Sequence, residues 1–166
     1  MKCIETVLEL MKKTPINEVT SRADEFTSMI KMLSEEKDHY AEANNGSHEL
    51  CNITMHLVYA AYQLATIYDL INIQDINIDA TYDRLCHIIE LCHNDYEGLH
   101  HAYQMANAVS AHNHAFEDYL SKALPEAGME ETIPIAISSL CAGYSATIRI
   151  IHDNIHHFHV IMGYTI

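Results

Sequence analysis

The chain is predicted to be all-α: an up-and-down antiparallel bundle of four long helices with one or two short extra helices, in a single domain covering residues 1–166. Three observations predict it. Apolar residues recur at steps of three and four along nearly the whole chain, the period of a helix with one buried face. Only five glycines and three prolines are present, little turn material for a sheet. The single alternating stretch, Ile71 to Asp79, is short and has no partner of similar pattern.

The elements follow in order. Ile4, Val7, Leu8 and Met11 make a short amphipathic helix that stops at Thr14-Pro15, where Thr14 can cap the next helix with Pro15 in its first position. Ile16, Val19, Ala23, Phe26, Ile30 and Leu33 outline that next helix. Asn44-Asn45-Gly46-Ser47 is the clearest turn. Leu50, Ile53, Leu57, Leu64, Ile67 and Ile71 mark a long helix after it. A polar segment from Asn72 to Asp79 precedes one continuous stripe, Tyr82, Leu85, Ile89, Cys92, Tyr96, Leu99 and Tyr103, reaching about Val109. Ser110–Asn113 breaks it, and Phe116, Tyr119 and Leu120 form a short helix before the loop at Pro125 and Gly128. The last helix runs from Thr132-Ile133-Pro134 to a stop at Gly163.

Charge narrows the function. Nine Lys+Arg against 23 Asp+Glu give −14. Nucleic acid needs a cationic surface to displace its counterions, and an anionic membrane surface needs the same, so neither partner is expected. A cation, a basic protein partner or a neutral small molecule fits better; a homodimer is a separate expectation that the charge does not supply. Five cysteines, odd in number and without a Cys-x-x-Cys pair, read as buried apolar thiols in a reducing compartment. Glu5 and Glu9 interrupt any leader-like apolar run, and no run reaches the roughly 18 uninterrupted apolar residues of a membrane span. A cytoplasmic location is expected; an effector secreted without a signal peptide of the usual kind has the same composition.

Thirteen histidines are the chemical signal. His152, His156 and His159 stand at i, i+4 and i+7 of the last helix, on one face about 90° from its apolar stripe. Imidazoles so placed make a metal site, a pH-sensitive surface or a polar shoulder of the bundle. Glu90-Leu-Cys-His93 and Glu97-Gly-Leu-His100 are two Glu-x-x-His units one heptad apart, and a carboxylate and an imidazole at that spacing can chelate one ion. Glu36-Lys-Asp-His39 is a third copy, on a charged segment suited to a solvated pair.

His56 stands early in a long helix, in Asn52-Ile-Thr-Met-His56-Leu-Val-Tyr, far upstream of His152-x-x-x-His156 on the last one. In this layout the chain resembles the DinB-like (YfiT-like) metal-binding four-helix bundles. The resemblance implies a mononuclear site in which His56, His152 and His156 hold a divalent ion (Zn, Ni or Fe) whose open positions serve a thiol transferase or hydrolase. The chain departs from such families in having no tryptophan. An alternative set, His93, Glu97, His100 and His159, is a Glu/His di-metal site across two helices in the ferritin-like manner, favouring iron or manganese, and it requires those helices to be neighbours with their histidine faces turned together. The reading from another class is a metal-free interaction module, for which ten tyrosines and eight methionines supply adaptable contact surface.

Overall fold

The computed structural model describes residues 2–42, 46–71, 76–92, 96–111 and 132–161, leaving aside the side chains of 71, 76–77, 96, 97, 99, 111 and 132–134. The described residues are helical and hold no strand. In chain order they are α1 (Lys2–Lys13), two 3-10 turns (Ile16–Glu18 and Thr20–Arg22), α2 (Ala23–His39), α3 (Ser47–Ile71), α4 (Ile76–Cys92), α5 (Tyr96–Ala111) and α6 (Thr132–Ile161).

Local chemistry explains the ends. Glu5 opens α1 and Lys12 and Lys13 close it; Asp24 and Glu25 open α2 and Lys37 and His39 close it, each sign opposing the helix dipole. Thr14 does not cap the next helix. Its hydroxyl turns back to the Leu10 carbonyl at 2.7 Å, closing α1, and Pro15 takes the cap position of a 3-10 turn without a side-chain cap bond. The apolar steps from Ile16 to Ala23 are therefore 3-10 turns leading into α2, not its first turns. Gly46, at φ 83, supplies the left-handed conformation ahead of α3, and His48 Nδ1 reaches the Lys37 carbonyl at 2.9 Å, tying the start of α3 to the end of α2.

The stripe from Tyr82 to Val109 is not one helix. It divides into α4 and α5, which pack on each other. The expected polar segment Asn72–Asp79 is shorter, since α4 already begins at Ile76. The short helix expected at Phe116–Leu120, the loop at Pro125–Gly128 and the stop at Gly163 lie outside the described residues.

α3 is the hub, packed most extensively on α6 and α2 and then on α4; α4 packs on α5, α5 on α6, and α6 closes back on α3. α2 lies antiparallel to α3, as Phe26 against Tyr62 and Lys37 against His48 require. α1 lies across α4, with Lys12 paired to Glu90 at 3.4 Å. Because α3 has neighbours on several sides, Ile53, Leu57, Ala60, Ala61, Leu64, Ala65 and Ile67 are all buried, and its alanines let the surrounding helices approach.

One buried hydrogen bond fixes α1 to α4: the Tyr82 hydroxyl donates to the Thr14 carbonyl at 2.8 Å. Both residues are buried, so Tyr82→Phe leaves that carbonyl unsatisfied away from water. The expected loss is about 1–3 kcal/mol, read as a shift of the urea midpoint with an unchanged slope.

Candidate functional site

The histidines of α6 gather on α5, around one tyrosine. α5 and α6 run antiparallel, with His100 beside His159, Tyr103 beside His156 and Asn107 beside His152. The Tyr103 ring lies 5.3 Å from His152, 6.1 Å from His156 and 5.6 Å from His159, centre to centre. The His100 and His159 rings meet edge to face at 6.5 Å. On α5 the contributing residues are three, four and seven apart, and on α6 they fall at i, i+4 and i+7, so each helix presents one face.

Burial grades along this seam. His159 is 0% exposed, an imidazole inside the core beside Phe158 and Ile155. His100 and His152 are half-buried, and His156 is exposed. His152 is held at both ring nitrogens: Nε2 bonds Asn107 Oδ1, and Nδ1 lies 3.5 Å from the Asp153 carboxylate. Gln104 Nε2 donates to His100 Nε2 at 3.2 Å. As they stand, no three His, Cys, Asp or Glu side chains among the described residues are grouped to hold a metal ion.

His56 belongs to a different seam. Its Nδ1 bonds the Asn52 carbonyl one turn back, at 2.8 Å. Gln63, one heptad further along α3, faces α6 at Gly143, where an added Cβ would stand 3.3 Å from Gln63 Nε2. On α6, His152 is nine residues beyond Gly143 and therefore about 180° round the helix. The side of α6 that meets α3 is opposite the side that carries the histidine row. The structure thus brings His152, His156, His159 and His100 together and places His56 elsewhere. His93 lies outside the described residues, as does the side chain of Glu97, which stands one turn before His100 on α5. Sequence reasoning missed Asn107 and the central place of Tyr103; their spacing of seven and three from His100 was the available signal.

Other reactive groups are spent on structure. Burial pushes the thiols of Cys51, Cys86 and Cys92 up to about 12, with Cys3 and Glu36 adding to it at Cys51 and Asp83 at Cys86. They are neutral at pH 7, neither nucleophiles nor ready thiolate ligands. A cleft of about 630 Å³ opens where α1 meets α4, but Lys12 at its rim is paired with Glu90 and the Tyr82 hydroxyl is taken by Thr14. No family model, curated protein or solved structure matches the chain.

Proposed function

We propose that α3, α4, α5 and α6 form an antiparallel four-helix bundle with α1 and α2 packed outside it, and that the α5–α6 seam binds one divalent cation through His100 and His159, with Glu97 as the third ligand. The observation that carries this reading is the His100–His159 pair, two imidazoles from neighbouring antiparallel helices 6.5 Å apart. The packing of α5 on α6 with these two imidazoles on the facing sides supports it. Two imidazoles on one tetrahedral zinc set their ring centres about 5 Å apart, given Zn–N bonds of ~2.0–2.1 Å. The pair therefore has to close by about 1.5 Å, within reach of side-chain rotation.

The surrounding residues have definite parts. Tyr103 packs between the rings of His159, in the core, and His152, nearer the surface, and keeps them apart. Asn107 and Asp153 hold His152 beside the seam, as an outer group rather than a ligand. A bound ion with two imidazoles and one carboxylate keeps a fourth position for water or substrate and supplies a Lewis acid to it.

Titration of the untagged protein with Co(II), Zn(II) and Ni(II) tests the site, the cobalt d–d spectrum reporting its geometry. His100→Gln and Glu97→Gln are expected to weaken binding by at least the ~10–100-fold that even outer-shell changes cost, with circular dichroism unchanged. His56→Gln is the control and should bind as the parent does. Unchanged affinity in His100→Gln refutes this ligand set, and loss of affinity in His56→Gln restores the set of His56, His152 and His156.

A further inference from the structure

Among the described residues α6 packs on α3 and α5, and its remaining side carries several exposed apolar side chains. Of the six large apolar side chains exposed among the described residues, four are on this helix: Ile135, Ile150, Val160 and Ile161. Ile135–Ile161 is long and apolar enough to cross a membrane by length and composition alone.

Between the sides of α6 that meet α3 and α5, Ala142, Ala146, Arg149, Asp153, His156 and Val160 follow one another at alternating steps of four and three, and every one is exposed; Ile135 continues this line, whereas Ile150 and Ile161 stand about 80–100° round the helix from it. This is the spacing of a coiled-coil seam, and among the described residues only Tyr103, beside His156, borders it. Arg149 makes no ion pair among the described residues, although Asp153 is one turn away, and Asp153 reaches only His152.

The geometry points to a second copy of this chain as the occupant, its α6 packed antiparallel on the first about a two-fold axis beside Ile151. In that single register Arg149 faces the second copy's Asp153, Ala146 faces its His156 and Ala142 faces its Val160. Each pair occurs twice by symmetry. Opposite charges meet, and a small residue meets a large one at the other layers, so the two helices can approach to the 8–10 Å typical of packed helices. A parallel pair would set Arg149 on Arg149 and Asp153 on Asp153, and leave alanine facing alanine. The pattern is self-complementary in the antiparallel sense only. It stands independently of whether a metal binds at the α5–α6 seam.

Sedimentation equilibrium of the full chain between about 5 and 500 µM, a range that brackets micromolar self-association, should show a monomer–dimer equilibrium that weakens with salt. Arg149→Asp and Asp153→Arg each convert two attractions into repulsions and should weaken the dimer on the order of tenfold or more. The double variant Arg149→Asp/Asp153→Arg exchanges the charges and should restore it. A chain carrying Ala142→Cys and Val160→Cys should oxidise to a covalent dimer. A monomer at the highest concentration overturns the proposal, as does a dimer indifferent to both charge reversals. A monomer that floats with phosphatidylcholine vesicles also overturns it and assigns the face to lipid.

Discussion

Raising the pH from 8 to 10 is expected to remove about 4 kcal/mol of folding stability, a large fraction of the ~5–15 kcal/mol that a domain typically holds. The cause is the buried thiols. In the unfolded chain Cys51, Cys86 and Cys92 ionise near the ordinary 9.0, whereas in the fold burial raises each to about 12. Between those values the folded chain keeps protons that the unfolded chain has released. The unfolded state then binds fewer protons, and stability falls as pH rises. The contribution is intact below pH 9 and is lost progressively up to about 12. At pH 10 each thiol costs on the order of 1 kcal/mol. Tyr82 and Tyr144, whose hydroxyls burial also shifts upward from 10.0, join above that pH. Urea midpoints at pH 7.5, 9 and 10 measure the loss, and Cys92→Ala should remove roughly a third of the slope. Equal stability at pH 7.5 and 10 would show that these thiols ionise freely in the fold.

Phe26→Ala is expected to cost about 3–5 kcal/mol, the range for deleting a fully buried ring. Phe26 is 0% exposed and stacks obliquely on Tyr62 at 6.1 Å, the chief aromatic contact between α2 and α3. Neighbouring Leu33 and Ile30 sit on the same side of α2 and cannot fill the space, because each is already packed. Thermal and denaturant melts measure the loss. The α5–α6 seam lies on the other side of the ring of helices, so cation affinity of the folded variant should match the parent's. A loss under 1 kcal/mol would mean that the site collapses around the cavity.

The helical class was legible because apolar spacing survives in every element, and the boundaries marked by special residues were legible too: Gly46-Ser47 opens α3 and Thr132 opens α6. The division between α4 and α5 was not. The apolar positions Leu85, Ile89, Cys92, Tyr96, Leu99 and Tyr103 stay in helical phase across it, so periodicity carries no trace of a break. Asn94 and Asp95, cap-type residues just before α5, were the signal that could have located it. The histidine face of α6 could likewise be drawn from spacing. Which helix it meets could not, because periodicity fixes the direction of a face and says nothing of the neighbour. Gly143, by its close approach to Gln63, marks the side of α6 that meets α3, and His152 stands about 180° round the helix from it.

The partnership of α3 with α6 sets a timetable for synthesis. α3 finds α2 at once, since the two are adjacent in the chain, but its most extensive interface among the described residues is with α6, the partner most distant from it in sequence. About 90 residues separate the end of α3 from the end of α6, which at ~5–20 residues per second takes roughly 5–20 s to translate. For that interval Leu57, Leu64 and their neighbours are paired on one side only, a nascent chain with an open apolar flank. Holdase chaperones recognise such flanks, and the same chain released early, by a stop codon before α6, should be found with them and not in the soluble fraction.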